Sequence, residues 1–388
     1  MRLLVVLSRF PYPLEKGDKL RAYHQIRLLS QKYDVYLFVI SDRNPKDEES
    51  DELHRYCKAI KVERINIFTK LWNTLIFVLK GMPAQCGYFF RSKAKKSLQQ
   101  FANEVNADKV YCQFVRTVPL VKDLQLSKTI DYQDALSMGM KRRYEQAKGL
   151  KRLSFRQEYL RLQQYEQEVY NCFDHHTIIT SKDRDVMPVK LRRNLLVVGN
   201  GVDFEKFAYH GEVKNYDLIF AGNMGYAPNV DAAEYLVRSV MPRLLRRLPG
   251  VRLVLCGANP SARVRALQSE SVEVTGWVDS MAEYYARSRV FIAPMRMGTG
   301  LQNKLLEAMA TEIPCVVSML AAAPLVSDNG QKPLMVCSSE DEYVHAILRL
   351  LEDREFYRQI TTQAHRYVTV HYSWEAATKP LIDILSQD

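Results

Sequence analysis

The 388-residue chain has no C-x-x-C pair, no short internal repeat, no low-complexity segment and no apolar run of membrane-spanning length. Each absence removes a class of protein. The seven cysteines are odd in number, widely scattered and mostly embedded in apolar runs such as Leu253-Val-Leu-Cys256, which argues for reduced, buried thiols in a cytosolic protein over a disulfide framework or a zinc site. The longest apolar stretch, Leu71 to Leu79, falls far short of the roughly 20 residues that cross a bilayer, so an integral membrane protein is not expected. The start Met1-Arg-Leu-Leu-Val-Val-Leu7 is short, is followed by Pro11 and Pro13 and lacks a small-residue cleavage site; it reads as a first buried strand and not as a signal peptide. No cluster has metal-ligand spacing, and His175-His176, at a strand edge, reads as structural. No metal or cofactor is expected. A nucleic-acid reading module and an aromatic platform among the cations are also missing, which ranks nucleic acid last among partners.

What is present is an ordinary globular composition, 47% hydrophobic and 26% charged, with the charge unevenly spread. Residues 1–210 hold 37 Lys+Arg against 24 Asp+Glu, the remainder 18 against 20, so the net +11 belongs to the first half. Two clusters dominate: Arg91-Ser-Lys-Ala-Lys-Lys96, and eight cations from Lys141 to Arg161 that meet only Glu145 and Glu158. Such one-signed stretches suit an anionic lipid surface or an anionic acceptor, although a solvated helix face has the same composition.

Apolar runs of strand length alternate with helix-spaced stripes through both halves, which predicts two α/β domains. First-half strands are expected at 2–7, 35–40, 60–67, 109–113, 129–132, 176–180 and 195–198; second-half strands at 217–220, 252–256, 272–275, 290–293, 315–318 and 334–337. Phe207 to Asn215, poor in apolar residues, is the expected linker between domains at 1–210 and 211–372, and the tail 373–388 is expected to return onto the first domain. The fold class is thus two doubly wound Rossmann-like domains. Open parallel sheets bind ligands beyond the carboxyl ends of their strands, which puts the expected site in a cleft where the two domains face each other.

The stretch Phe291 to Ala310 carries the most chemistry. It reads as a buried strand, a turn with Gly298 and Gly300, and a helix beginning near Leu301 whose first N–H groups are free to meet an anion. Lys304 and Glu307 are three apart on one helical face, an ammonium for phosphate oxygens and a carboxylate for sugar hydroxyls. A tight turn with a solvated ion pair would use the same residues. The other informative pieces are Lys16-Gly17-Asp18, Asp131-Tyr-Gln-Asp134, Asn200-Gly-Val-Asp203, Phe220-Ala-Gly222-Asn223, and Gly276-Trp277-Val278-Asp279.

Together, and in this order, these motifs resemble the retaining glycosyltransferases of the GT-B fold, family 4 or "group 1", over essentially the whole chain. The nearest subgroup is the exopolysaccharide-associated sugar transferases, whose pattern G-x-G-x-x-x-K-x-x-E-A-M-A stands here from Gly298 to Ala310 without a gap. The resemblance implies a nucleotide-sugar donor, UDP- or GDP-linked, with Glu307 on the ribose and the backbone of Gly298, Thr299, Gly300 and Leu301 on diphosphate and sugar. It places Gly17, Gly222, Asn223 and Gly257 in loops near the phosphates, and Trp277 and Val278 beside the nucleobase. Two departures stand out. The family often has a second glutamate eight residues before Glu307, where this chain has Thr299. The arginine and lysine usual after the Gly222 turn are replaced, with Asn223 and Asn229 nearby, leaving Lys304, Arg296 or Lys16 to meet phosphate charge.

The implied reaction displaces a nucleoside diphosphate by an acceptor hydroxyl with retention, and needs no protein base. Donors placed where leaving-group charge develops supply the main catalytic term. Asp131 and Asp134 follow one first-domain strand and suit either the acceptor side or a helix N-cap. Gln113 and Arg116 end another such strand and are further acceptor candidates. The acceptor is expected to be lipid-linked or a polysaccharide, met by a cytoplasmic enzyme at the inner face of an anionic membrane. A non-catalytic nucleotide- or anion-binding protein on the same fold, and a sugar-nucleotide epimerase, are the alternatives.

Overall fold

The computed structural model describes residues 1–14, 16–208, 211–297, 301–325 and 332–387, without the side chain of Gln146. The expected donor contacts Gly298, Thr299 and Gly300 lie outside the described residues. The chain divides into two compact units, residues 1–200 with 378–388, and residues 201–377.

The first unit is built on seven parallel strands: β1 (Arg2–Leu7), β2 (Asp34–Ser41), β3 (Cys57–Arg64), β4 (Lys109–Gln113), β5 (Ser127–Asp131), β6 (His175–Ile178) and β7 (Leu195–Val197). Their order is β3-β2-β1-β4-β5-β6-β7, so the winding direction reverses between β1 and β4. The run Leu3 to Leu7 is buried throughout because both faces of the sheet are covered. Leu3, Val5 and Leu7 pack with Ala22, Ile26 and Leu29 of the helix Gly17–Leu29 and with Leu381 and Leu385 of the helix Trp374–Leu385. Leu4 and Val6 lie in the opposite core with Leu98, Phe101 and Val169. Lys109 Nζ, buried, donates to the Leu385 and Gln387 carbonyls at 2.9 and 3.1 Å, fastening the chain's last turn to β4.

The second unit contains β8 (Tyr216–Ala221), β9 (Leu253–Cys256), β10 (Val272–Gly276), β11 (Ser288–Ala293), β12 (Cys315–Ser318) and β13 (Met335–Cys337). The order β10-β9-β8-β11-β12-β13 reverses between β8 and β11, and the ladders are parallel. Its core already includes Val202 and Phe207, so the stretch that looked apolar-poor enough for a linker begins on residues committed to this unit.

Among the described residues each expected strand is present, most within two residues of the expected bounds, and the largest shift is at β3. Strand β3 ends at Arg64, and Ile67 opens a helix, Ile67–Leu79. Asn66 makes the break: its side chain caps the helix by accepting from the Thr69 N–H at 2.8 Å.

Candidate functional site

The reversal between β8 and β11 leaves a crevice beyond their carboxyl ends, the place where open α/β sheets hold ligands. Two glycines shape it. Gly257 follows β9 at φ +140, and a Cβ there would stand 1.9 Å from the Gly222 carbonyl oxygen. Gly222 follows β8 at φ +149, and its Cβ would meet the Asn229 amide at 2.7 Å. Both loops are therefore pressed together backbone to backbone, with Gly222 N–H donating to the Cys256 carbonyl at 2.9 Å.

Opposite them the helix Asn303–Ala310 starts after β11. A cavity of about 240 Å³ lies between, lined by Gly222, Tyr226, Asn229, Met295, Leu301 and Lys304 among others. Lys304 is the half-buried cation of this cavity. Its Nζ donates to Asn229 Oδ1 at 2.8 Å, lies 3.6 Å from Met295 Sδ and sits 4.4 Å from the Phe220 ring centre. Burial takes its ammonium down to about 7, opposed by the nearby Glu307 carboxylate.

Glu307 is held from beneath. The buried Tyr285 hydroxyl donates to Glu307 Oε2 at 3.1 Å, and burial raises the carboxyl's pKa, opposed by that hydrogen bond and by Lys206 and Lys304. Asn229 and Tyr285 are the positioning residues of this pair. Asn229 was legible as a polar residue near the Gly222 loop. Tyr285 was not, because it arrives from the helix Met281–Ala286, far from Glu307 in sequence.

The remaining residues expected on the donor side are spread around the unit. Leu301 is part-buried against the core and lines the cavity. Asn223 is exposed, its Oδ1 accepting from the Gly225 N–H at 3.0 Å and its carbonyl from Asn229 Nδ2 at 3.0 Å. Trp277 follows Gly276 (φ +73) with 73% of its surface exposed, an aromatic face free to stack, while Val278 packs on the core. Arg296 does not join Lys304: it forms a two-pronged ion pair with Asp231 at 2.6 and 3.0 Å and lies over the Tyr235 ring.

In the first unit, Gly17 opens its helix in open space, with nothing within 4 Å of the point where a Cβ would stand. Beside it, beyond β1 and β2, is a cavity of about 340 Å³ whose lining includes Ser8, Arg9, Tyr12, Lys16 and Lys19. Arg116 borders this region, donating from Nε to Ser8 Oγ at 2.8 Å and lying against the Phe89 and Phe114 rings; burial lowers its pKa to about 10. Phe114 holds the strained φ of +68 at the end of β4, fixed by its N–H on the Asp131 carbonyl at 2.7 Å.

Asp131, expected at the acceptor side or as a helix cap, does neither. It is wholly buried, paired with Arg21 Nε at 2.7 Å and accepting from Tyr111 OH at 3.0 Å. The pair is structural because neither partner reaches solvent. Gln113 belongs to the same buried network, bonded to Gln25 and Gln133 at 2.9 Å each. Asp134 is exposed, and the N-cap of the following helix is Ala135, with no side-chain cap.

Two Rossmann-like units, the second with a glycine-shaped crevice lined by Lys304, are the architecture of the GT-B class of fold. Residues 215–353 match the family model described as Glycosyl transferases group 1, so the second unit carries a glycosyl transferase domain. Over its length the chain is similar to an uncharacterized 44.6 kDa protein in the cps region of Klebsiella pneumoniae, 20% identical with 96% of each chain covered. Its fold is similar to that of sucrose-phosphate synthase from Thermosynechococcus elongatus, with a TM-score of 0.64, 13% identity, and 100% of this chain and 99% of that one covered. It is also similar to Anabaena HepE, solved in complex with UDP-glucose, with a TM-score of 0.65, 12% identity and both chains covered in full.

Proposed function

We propose that the protein transfers a sugar from a nucleotide-sugar donor to a hydroxyl of a lipid-linked or polysaccharide acceptor, with retention at the anomeric carbon. The observation that carries this reading is Lys304, held by Asn229 over the crevice at the β8/β11 reversal and backed by Glu307 on Tyr285. In this reading the Lys304 ammonium and the first N–H groups of the 303–310 helix take up the charge that develops on the departing diphosphate. Glu307 accepts from the ribose hydroxyls, and Trp277 covers the base. The departing phosphate receives the acceptor's proton, so no side chain need act as a base. UDP-bound HepE supports a uridine nucleotide as the first donor to test, and the cps-region relative supports an exopolysaccharide product. The first unit, with Arg9, Lys16 and Lys19 beyond its strands, would receive the acceptor, and its cations would bring it to the inner face of an anionic membrane.

Lys304→Met and Glu307→Gln are expected to lower transfer by about a hundredfold or more, the usual cost of one charge-stabilising donor, while thermal unfolding stays near that of the wild type. Unchanged turnover in both variants would refute the assignment. Release of free sugar from the donor without acceptor separates a transferase from a binding protein, and an isomerised sugar nucleotide as the product would identify an epimerase.

A further inference from the structure

The helix Ile67–Leu79 faces the wrong way for a helix in water. At about 100° per residue, Ile67, Leu71, Leu75, Phe68, Leu79 and Trp72 fall within one arc of about 140°. All six are exposed, from 50% for Leu75 to 80% for Phe68. The inward face carries Lys70, Asn73 and the buried Phe77 instead. Lys70 is 3% exposed, pairs with Asp42 and lies 4.5 Å from the Tyr88 ring centre. Asn73 Nδ2 donates to the Phe90 carbonyl at 2.7 Å, and the Thr74 hydroxyl is turned back onto the Lys70 carbonyl. A surface helix ordinarily hides its apolar stripe; this one is anchored by its lysine, its amide and Phe77 and presents the wider stripe outward.

Cations surround the arc. Arg64 and Arg91 stand at its amino end, where both line a depression with Asn66 and Ile67. Lys80 is exposed at its carboxyl end. Arg161 donates to the Val78 carbonyl at 3.1 Å and ties the helix to Gly149–Tyr170. That second helix exposes Leu150 and Leu153 among Lys148, Lys151, Arg152 and Arg156.

We propose that the 67–79 helix is a membrane-docking element that lies flat in the interface of an anionic bilayer. Its apolar arc would sit among the upper acyl chains, Trp72 at headgroup level, and the flanking arginines and lysines on lipid phosphates. A helix of about 20 Å cannot span a bilayer but can lie on one. Lipid fits better than a protein partner because the arc has no polar group that would fix a register, while the cations around it complement a negatively charged surface. The inference rests on the reading of a membrane-borne acceptor and names the element that would bring the enzyme to it.

The test is flotation of the full chain with phosphatidylcholine vesicles containing phosphatidylglycerol. Wild type is expected to float, and the triple variant Phe68→Ser, Leu71→Ser, Trp72→Ser to partition at least tenfold less while unfolding at the same temperature. In a Trp277→Phe background, which leaves Trp72 and the buried Trp374, emission should shift to the blue on vesicles and be quenched by brominated lipid. Equal flotation of wild type and the triple variant would overturn the proposal. So would a wild-type dimer that the triple variant dissolves, with no flotation of either, since the arc would then cover a second copy. UDP-glucose stabilisation is read on the same samples. Its absence in wild type counts against the donor site and leaves the vesicle result standing, whereas lost flotation with intact nucleotide stabilisation isolates the helix.

Discussion

Lys304 is a cation held among apolar and neutral groups. The Phe220 ring, Met295 and a neutral amide surround it, and burial lowers its pKa to about 7. A bound diphosphate would restore the charge. UDP affinity is therefore expected to fall by up to about tenfold per pH unit above 7.5, where a terminal phosphate of pKa about 6 is already fully ionised, and binding should take up a proton. Titration calorimetry in buffers of different ionisation enthalpy reads both. A flat profile in the wild type, or the same slope in Lys304→Met, would show that another group meets the phosphate. The shift also acts on stability. Between about 7 and its ordinary value near 10.4 the unfolded chain keeps a proton that the folded site has released, so this group makes stability rise with pH over that window. Sequence spacing was enough to put Lys304 and Glu307 on one face, but not to find Tyr285, nor to see that Asp131 is sealed against Arg21. Those contacts join distant segments, and no local pattern encodes them.

At the scale of elements, the strands were legible because a parallel sheet covered on both faces demands continuous apolar runs, and Leu3 to Leu7 or Leu253 to Cys256 could hardly be anything else. The orientation of the 67–79 helix was not legible. Periodicity identifies an apolar face but not the direction it points, and here Lys70 and Phe77 are the buried residues of the helix. The glycines divide in the same way. Gly257→Ala would drive a Cβ to 1.9 Å from a backbone oxygen at a φ of +140, so it is expected to cost about 3 kcal/mol in urea unfolding and to abolish stabilisation by UDP. Gly17→Ala, at a helix start with open space around it, should leave unfolding unchanged or slightly improved. A loss of transfer in that variant would report the approach of a ligand and not a damaged fold. If Gly257→Ala were as stable as wild type, the close contact of the β8 and β9 loops would be wrong.

For the whole molecule, the separation of charge becomes a measurable partition between two forces. The first 210 residues carry 37 Lys+Arg against 24 Asp+Glu, and the cations from 141 to 161 are mostly exposed. On a membrane these would supply the part of binding that salt removes, while the 67–79 helix supplies the part that salt leaves. Each cation near an anionic surface contributes about 1 kcal/mol. Replacing Arg142, Lys148 and Arg152 with glutamine is therefore expected to weaken vesicle binding by roughly a hundredfold at low salt. The Debye length falls to about 3 Å at 1 M salt, so there the variant and wild type should converge on one residual affinity. The apolar triple variant should behave in the opposite way, with its salt dependence kept and its residual affinity gone. Binding measured against phosphatidylglycerol content at both salt concentrations reads slope and residue separately. Equal binding of the wild type to neutral and anionic vesicles at low salt would show that the basic half has no lipid to meet.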